Sequence, residues 1–265
     1  MTAPGGTHLL DGRVVLVSGV GPGLGRSLAV RSALAGADVV LAARTESTLR
    51  AVADEVEKLG RRALAVPADI TDVASSAALA DRALDAYGHV DVLLSSAFVH
   101  PPQEELLDAD LDAMPRWYDV NVLAGVRLVQ RLAPALIASR GAVVMVNSMV
   151  IRNRLPRFGA YRMTKASLLA AARSLSVELG PKGVRVNSIA PGYIWADRVQ
   201  AYFRRIAESR GVSARQVYEE AVAAVDLRRL PEPDEIADAA VFLASDMASA
   251  ITGQCLDVNC GETHH

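Results

Sequence analysis

Arg13-Val14-Val15-Leu16-Val17-Ser18-Gly19-Val20-Gly21-Pro22-Gly23-Leu24-Gly25 is a short apolar run that ends in a glycine-rich loop. A continuous apolar run of this length fits a strand buried on both faces. A helix-like stretch from Arg26 to Ala35 follows the glycines. Glycines between a buried strand and a helix let the backbone approach a pyrophosphate, and the helix N-terminus supplies N–H groups and partial positive charge. The spacing is Gly19-x-x-x-Gly23-x-Gly25, one residue longer in its first gap than the usual dinucleotide fingerprint. A tight turn that holds no ligand is the alternative; the strand before and the helix after favour a bound dinucleotide.

Working outward, the same alternation recurs. Asp38–Ala43 is a second apolar strand, followed by Arg44. A carboxylate at that strand end would hold both ribose hydroxyls of NAD and repel a 2′-phosphate. Here there is no acid, and a guanidinium fork suits the phosphorylated ribose, so NADP is favoured over NAD unless Arg44 only caps the strand in solvent. Thr45–Leu59 reads as a helix with Thr45 as N-cap. A short strand at Ala63–Val66 leads to Asp69, a candidate acceptor for an adenine amine, and Thr71 or Asp72 caps a helix that runs to Tyr87. Val90–Ser95 is a fourth strand. Glu104–Ser139 reads as mostly helical and contains Asn121. Ala142–Asn147 is a fifth strand with Ser148 at its end; residues 158–180 form a helix stopped by Gly180-Pro181. Val184–Ala190 is a sixth strand, broken by Pro191-Gly192, and Gln254–Val258 a seventh. Short apolar strands alternating with helices give an α/β fold of Rossmann type, a doubly wound parallel sheet of about seven strands with helices on both faces. No linker or repeat divides it, so residues 13–265 read as one domain behind a disordered arm at residues 1–12.

The chain has 265 residues, 51% hydrophobic and 22% charged, with a net charge of −2 and a pI near 6.2. This balance points to neither nucleic acid nor an anionic membrane surface. No apolar run approaches the roughly 18 residues that span a bilayer, and Met1–Arg13 lacks a secretory pattern. The cysteines, Cys255 and Cys260, are too few for a disulfide framework, which fits the cytoplasm, and no histidines flank them to make a metal site.

In the helix at 158–180, Tyr161 and Lys165 stand four apart, on one face. A phenol loses its proton near pH ~10, and a neighbouring positive charge favours the phenolate. Lowering that pKa by about 3 units takes roughly 4 kcal/mol. Lys165, together with a cationic ring from a bound cofactor, is the expected source. Alone, such a pair is usually a solvated helix face. Here the glycine loop, Arg44, Asp69, Ser95, Ser148 and Pro191 all fall at carboxyl ends of strands, where open sheets bind ligands.

Ser18-Gly19-x-x-x-Gly23-x-Gly25, Asp69, Asn121, Ser148 thirteen residues before Tyr161, Tyr161-x-x-x-Lys165, Pro191-Gly192 and Ile251-Thr252-Gly253-Gln254 occur in this order. Jointly they resemble a short-chain dehydrogenase/reductase from Arg13 to about Gly261. The resemblance implies an Asn121-Ser148-Tyr161-Lys165 tetrad. Tyr161 would exchange a proton with the substrate oxygen, Ser148 would orient that oxygen, Lys165 would depress the tyrosine pKa and bind the nicotinamide ribose, and Asn121 would hold a water leading from Lys165 to solvent. It also implies a nicotinamide cofactor lying on Ser18, Gly19, Gly23, Leu24, Gly25, Arg44, Asp69, Ile70, Ser96, Ala97, Pro191, Gly192 and Ile194, as well as on Asn121, Tyr161 and Lys165. The departures are Ser95-Ser96-Ala97-Phe98 in place of Asn-Asn-Ala-Gly, Ala196 in place of Thr, Ser18 in place of Thr, and Cys260 in place of a late glycine. Phe98 is expected to put bulk against the adenosine ribose.

Between Trp195 and Leu230, apolar residues recur at helical spacing (Val199, Tyr202, Phe203, Ile206; Val217, Ala221, Val222, Val225). Two helices there form either a lid over a bulky apolar substrate or a subunit contact. Arg152, Arg154 and Arg157 in the loop before Tyr161 form either a site for an anionic carrier phosphate or a solvated rim. The activity expected is hydride transfer between NADP (NAD as the alternative) and a small-molecule ketone or secondary alcohol. Reduction of a 3-oxoacyl thioester, and a non-catalytic cofactor sensor or scaffold, are the competing readings. By resemblance the chain assembles as a homotetramer or homodimer.

Overall fold

Side chains on β1 (Val14–Ser18) point alternately to two apolar layers, and this decides the architecture. Val15 and Val17 join one core cluster, Val14 and Leu16 the other. The same division holds in β2 (Asp38–Ala43) and β5 (Ala142–Val146). A strand apolar on both faces needs helices on both sides. The computed structural model, which describes residues 8–264, has that arrangement.

The remaining strands are β3 (Ala63–Pro67), β4 (Val92–Ser95), β6 (Arg185–Pro191) and β7 (Cys255–Val258). They form one seven-stranded sheet in the order β3-β2-β1-β4-β5-β6-β7, parallel throughout. Helices α1 (Leu24–Leu34), α2 (Glu46–Lys58) and α9 (Pro233–Ala244) cover one face. Helices α3 (Val73–Tyr87), α5 (Ala124–Ser139) and α6 (Gly159–Leu179) cover the other. Fully buried leucines such as Leu16, Leu93, Leu128 and Leu132 fill the layers, each stabilising by about 1.5–3 kcal/mol. The chain reverses its order between β1 and β4. A crevice therefore opens beyond their carboxyl ends.

Short α4 (Met114–Tyr118) runs into α5 through a π-turn at Asp119–Leu123. Helix begins only at Leu111, not at Glu104; Asp110 caps the first turn by accepting the N–H of Asp112. Thr45 stands at the α2 N-cap without a side-chain capping bond, whereas Asp72 caps α3 by accepting the N–H of Ser75 at 2.6 Å. By length and composition, Leu111–Ser139 is an exception to the expectation that no segment reaches membrane-spanning size. Its residues Leu128, Leu132 and Leu136 are nevertheless packed on the sheet.

After β6 come α7 (Asp197–Arg210) and α8 (Ala214–Val222), the two helices read between Trp195 and Leu230. They pack on each other through Phe203, Ala207, Val217 and Val222. Of the expected arm, residues 1–7 lie outside the described residues. Within its remainder Leu10 is buried and its N–H donates to the Ala35 carbonyl at 2.8 Å, so the packed body starts before residue 13.

Candidate active site

The loop after β1 turns on Gly19, at φ +86°. A Cβ there would overlap the backbone of Ala97 and stand 2.8 Å from the Ser96 carbonyl carbon. Gly25 is as constrained, since a Cβ would collide with the Gly19 carbonyl and stand 2.8 Å from the Val20 Cα. These two glycines serve close packing. Gly21 and Gly23 do not. No described atom lies within 4 Å of a Cβ built on Gly21, and only the Ala196 Cβ, at 4.0 Å, lies near one on Gly23. A bare backbone facing open space at the mouth of α1 fits a pyrophosphate cradle.

That mouth is one end of a cleft of about 1360 Å³ running over the carboxyl ends of the strands. Every residue expected at the cofactor and catalytic sites lines it except Ser18 and Asn121. Ser18 lies under the floor, fully buried, its hydroxyl without a partner among the described residues. Arg44 and Asp69 stand at the β2 and β3 end. The Asp69 carboxylate accepts from the Thr71 N–H at 3.0 Å and the Thr71 hydroxyl at 2.7 Å, which hold it below its ordinary pKa. Arg44 is exposed and makes no ion pair among the described residues.

At the other end α6 carries Tyr161 and Lys165. The buried Lys165 Nζ donates to the Val146 carbonyl at 2.8 Å. Ser148 accepts the N–H of Val150 at 3.2 Å, and its side chain acts on the Tyr161 phenol. Asn121, in the π-turn, is buried behind the cleft. Its Oδ1 accepts the N–H of Val99 at 2.8 Å, and its Nδ2 donates to the Val99 carbonyl at 3.0 Å and to Thr164 Oγ1 at 3.1 Å. Asn121 therefore fixes the loop after β4 to α6, and the π-turn widens the helix beside it.

The electrostatics differ from the simple expectation for the Tyr161–Lys165 pair. Burial pushes the Tyr161 phenol up to about 12, against the opposing pull of the Ser148 hydrogen bond and the Arg198 charge. Burial also pushes Lys165 down to about 7. Desolvation dominates both groups. Lys165 points at the Val146 carbonyl, 5.8 Å from the Tyr161 ring centre, and the cation acting on the phenol is Arg198. At about 12, the Tyr161 phenol is a proton donor at neutral pH.

Phe98 also differs from expectation. Its ring centre is 6.4 Å from that of Tyr161 and 5.6 Å from Lys165 Nζ. Its bulk therefore faces Tyr161 and Lys165. His100 stacks on Tyr161 with centres 4.5 Å apart, and burial lowers its pKa. Neither His100 nor Arg198 was marked by motif or spacing; the one signal was their nearness in sequence to Ser95–Phe98 and Pro191-Gly192. Of the loop arginines, Arg152 is held by Asp257 at 3.1 Å, and none of the three lines the cleft.

The family model described as Enoyl-(Acyl carrier protein) reductase matches residues 19–263. The 7alpha-hydroxysteroid dehydrogenase of Escherichia coli (strain K12) is 33% identical over 253 residues, covering 95% of this chain and 94% of that protein. The chain belongs to the short-chain dehydrogenase/reductase family. Two solved structures of this family are similar along almost the whole chain. A 7 alpha-hydroxysteroid dehydrogenase complexed with NADH and 7-oxo glycochenodeoxycholic acid has a TM-score of 0.86 at 32% identity, covering 98% of this chain and 97% of that one. The L-sorbose reductase from Gluconobacter frateurii, complexed with NADPH and L-sorbose, has a TM-score of 0.90 at 26% identity, covering 96% and 97%. This short-chain dehydrogenase/reductase is accordingly an oxidoreductase.

Behind the cleft of this dehydrogenase/reductase, Glu262 lies under Gly192 and Tyr193. It accepts the Tyr193 N–H, while its Oε2 is buried with no partner among the described residues. Burial raises its pKa from 4.5 to about 6. A raised carboxyl binds its proton more tightly folded than unfolded, so stability falls as pH rises from 4.5 through 6 and stays low above. Glu262→Gln is expected to stabilise the fold at pH 7 by up to ~2 kcal/mol and to add nothing below pH 4.5, read from urea midpoints across pH.

Proposed function

We propose that this chain is an NADP-dependent ketone reductase/alcohol dehydrogenase acting on a bulky, largely apolar small molecule. The observation that carries this reading is the convergence of Ser148, Tyr161 and buried Lys165 at one end of a cleft whose other end is the bare glycine loop. A nicotinamide cofactor supplies the hydride. In reduction, negative charge builds on the substrate oxygen, and Tyr161 releases its proton to it; in oxidation Tyr161 takes that proton back. Ser148 donates to the same oxygen and holds it near the phenol. Lys165 stands where it can meet a ribose hydroxyl, and Asn121 keeps the loop at Val99 fixed against α6. The glycine loop with Gly21 and Gly23 would hold the pyrophosphate. Arg44, with no carboxylate at the end of β2, would take the 2′-phosphate.

The described residues, 8–264, act as one domain in which α7 and α8 serve as the lid. Trp195, Val199 and Tyr202 line the cleft and give it an apolar wall. Reduction of a carrier-bound thioester is less well supported, because Arg152 is spent on Asp257. A non-catalytic scaffold is disfavoured by the complete tetrad. Exposed Leu123, Met163 and Val177 on the π-turn and α6 suit a homotetramer or homodimer, and the free thiols of Cys255 and Cys260 suit the cytoplasm.

Fluorescence titration with NADPH and NADH tests the cofactor assignment. NADPH is expected to bind at least about tenfold tighter, and Arg44→Asp to reverse the order, because a carboxylate accepts ribose hydroxyls and repels phosphate. Tighter NADH binding by the unaltered chain would make Arg44 a surface residue and favour an oxidative role.

A further inference from the structure

On α7, Arg198, Tyr202 and Arg205 fall at i, i+4 and i+7, on one helix face, and all three line the cleft. The opposite face, with Phe203 and Ala207, packs against α8. Neither arginine has a carboxylate within ion-pair distance among the described residues. Arg198 lies 5.2 Å from the Phe98 ring and Arg205 5.4 Å from the Tyr202 ring. By contrast, Arg210 and Arg215, which do not line the cleft, are paired with Glu220 and Glu219. Across the cleft Arg116 adds a third guanidinium, while the acid on that wall, Asp119, is paired with Arg127 at 2.6 Å. Two other carboxylates line this part of the cleft. Glu232 stands at the N-cap of α9, where its charge acts on Arg229, and Asp197 precedes Arg198, so that on the helix the two point about 100° apart. The apolar wall of Trp195, Val199 and Tyr202 thus carries an unneutralised cationic edge.

We propose that the substrate is an amphiphilic keto or hydroxy acid, whose apolar body lies on Trp195 and Tyr202 and whose carboxylate is held by the Arg198–Arg205 face of α7. The inference rests on the reading of this cleft as a carbonyl-reducing site. A guanidinium stacked on an aromatic ring is pre-organised and suits a carboxylate through paired N–H donors. Arg198, whose charge also reaches Tyr161 and His100, lies nearer the reacting oxygen. Arg205 stands about 10 Å further along the helix, so the two set a short and a long distance from carbonyl to carboxylate.

The experiment uses 4-benzoylbutyrate and 8-benzoyloctanoate, each against its methyl ester. Binding is read from tryptophan fluorescence on the NADPH-loaded protein, and KM where turnover occurs. For the unaltered chain, one acid is expected to bind at least tenfold tighter than its ester. Arg205→Met, Arg198→Met or the double variant is expected to bring the acid/ester ratio to near one. Arg215→Met, away from the cleft, should keep the original ratio. Equal binding of acid and ester by the unaltered chain would overturn the proposal. So would a ratio that survives the double variant, or an Arg198→Met effect confined to NADPH affinity. Acid-selective binding without reduction of any ketone would instead leave the carboxylate subsite standing and remove the reductase reading.

Discussion

Tyr161→Phe is expected to lower kcat for ketone reduction by about 10²–10⁴-fold, the usual worth of a positioned proton donor. The substitution removes one oxygen and keeps the ring. His100 therefore keeps its stacking partner, and the contact with Phe98 survives. Ser148 still accepts the Val150 N–H, so the fold should change by no more than about 1 kcal/mol. A large kinetic loss with a small shift in melting temperature separates chemistry from structure. No phenolate is needed in the resting site, because the phenol held near 12 is a donor at neutral pH. Retention of more than a tenth of kcat at saturating cofactor would assign the proton to another group. His100, stacked at 4.5 Å, would be the first to examine.

Gly19→Ala is expected to cost at least ~3 kcal/mol and to leave little folded protein. The position has φ +86°, which an L side chain rarely adopts. A Cβ would enter the backbone of Ala97 and Ser96. That backbone cannot retreat, because the Ser96 N–H donates to the Ser18 carbonyl at 2.9 Å and the Gly19 N–H to the Ala42 carbonyl at 2.8 Å. Overpacking of this kind has no flexible side chain to absorb it. Gly21→Ala is the internal control. Its Cβ meets no described atom within 4 Å, so stability should move by less than about 1 kcal/mol. Urea unfolding of the two variants side by side would show the contrast, and a Gly19→Ala loss below 1 kcal/mol would refute the close approach.

The arrangement of the sheet was legible because its central strands, β1, β2 and β5, are apolar on both faces, a pattern that a helix-covered parallel sheet explains. The glycine spacing likewise marked the loop after β1, although it did not say that Gly19 and Gly25 serve packing while Gly21 and Gly23 face the cleft. Helical spacing put Tyr161 and Lys165 on one face of α6. It could not reveal that a buried carbonyl, that of Val146, turns the lysine aside, or that desolvation dominates both groups. Phe98 was expected near the adenosine ribose because its place in the motif was clear. The direction of its side chain, toward Tyr161, depends on how the loop after β4 is anchored by Asn121. Arg198 and Arg205 left no signal, since two arginines on an amphipathic helix look like any solvated pair until α8 covers the opposite face.

Isotope labelling reads hydride transfer through this cleft directly. NADPH carrying deuterium at the transferable position of its nicotinamide would be incubated with the protein and a bulky aryl ketone, and the alcohol examined by mass spectrometry. The expected result is one deuterium on the carbinol carbon, from one face of the nicotinamide only, and loss of that product with Tyr161→Phe. Alcohol without deuterium, or no alcohol from a protein that binds NADPH tightly, would contradict the assignment of this site as a reductase.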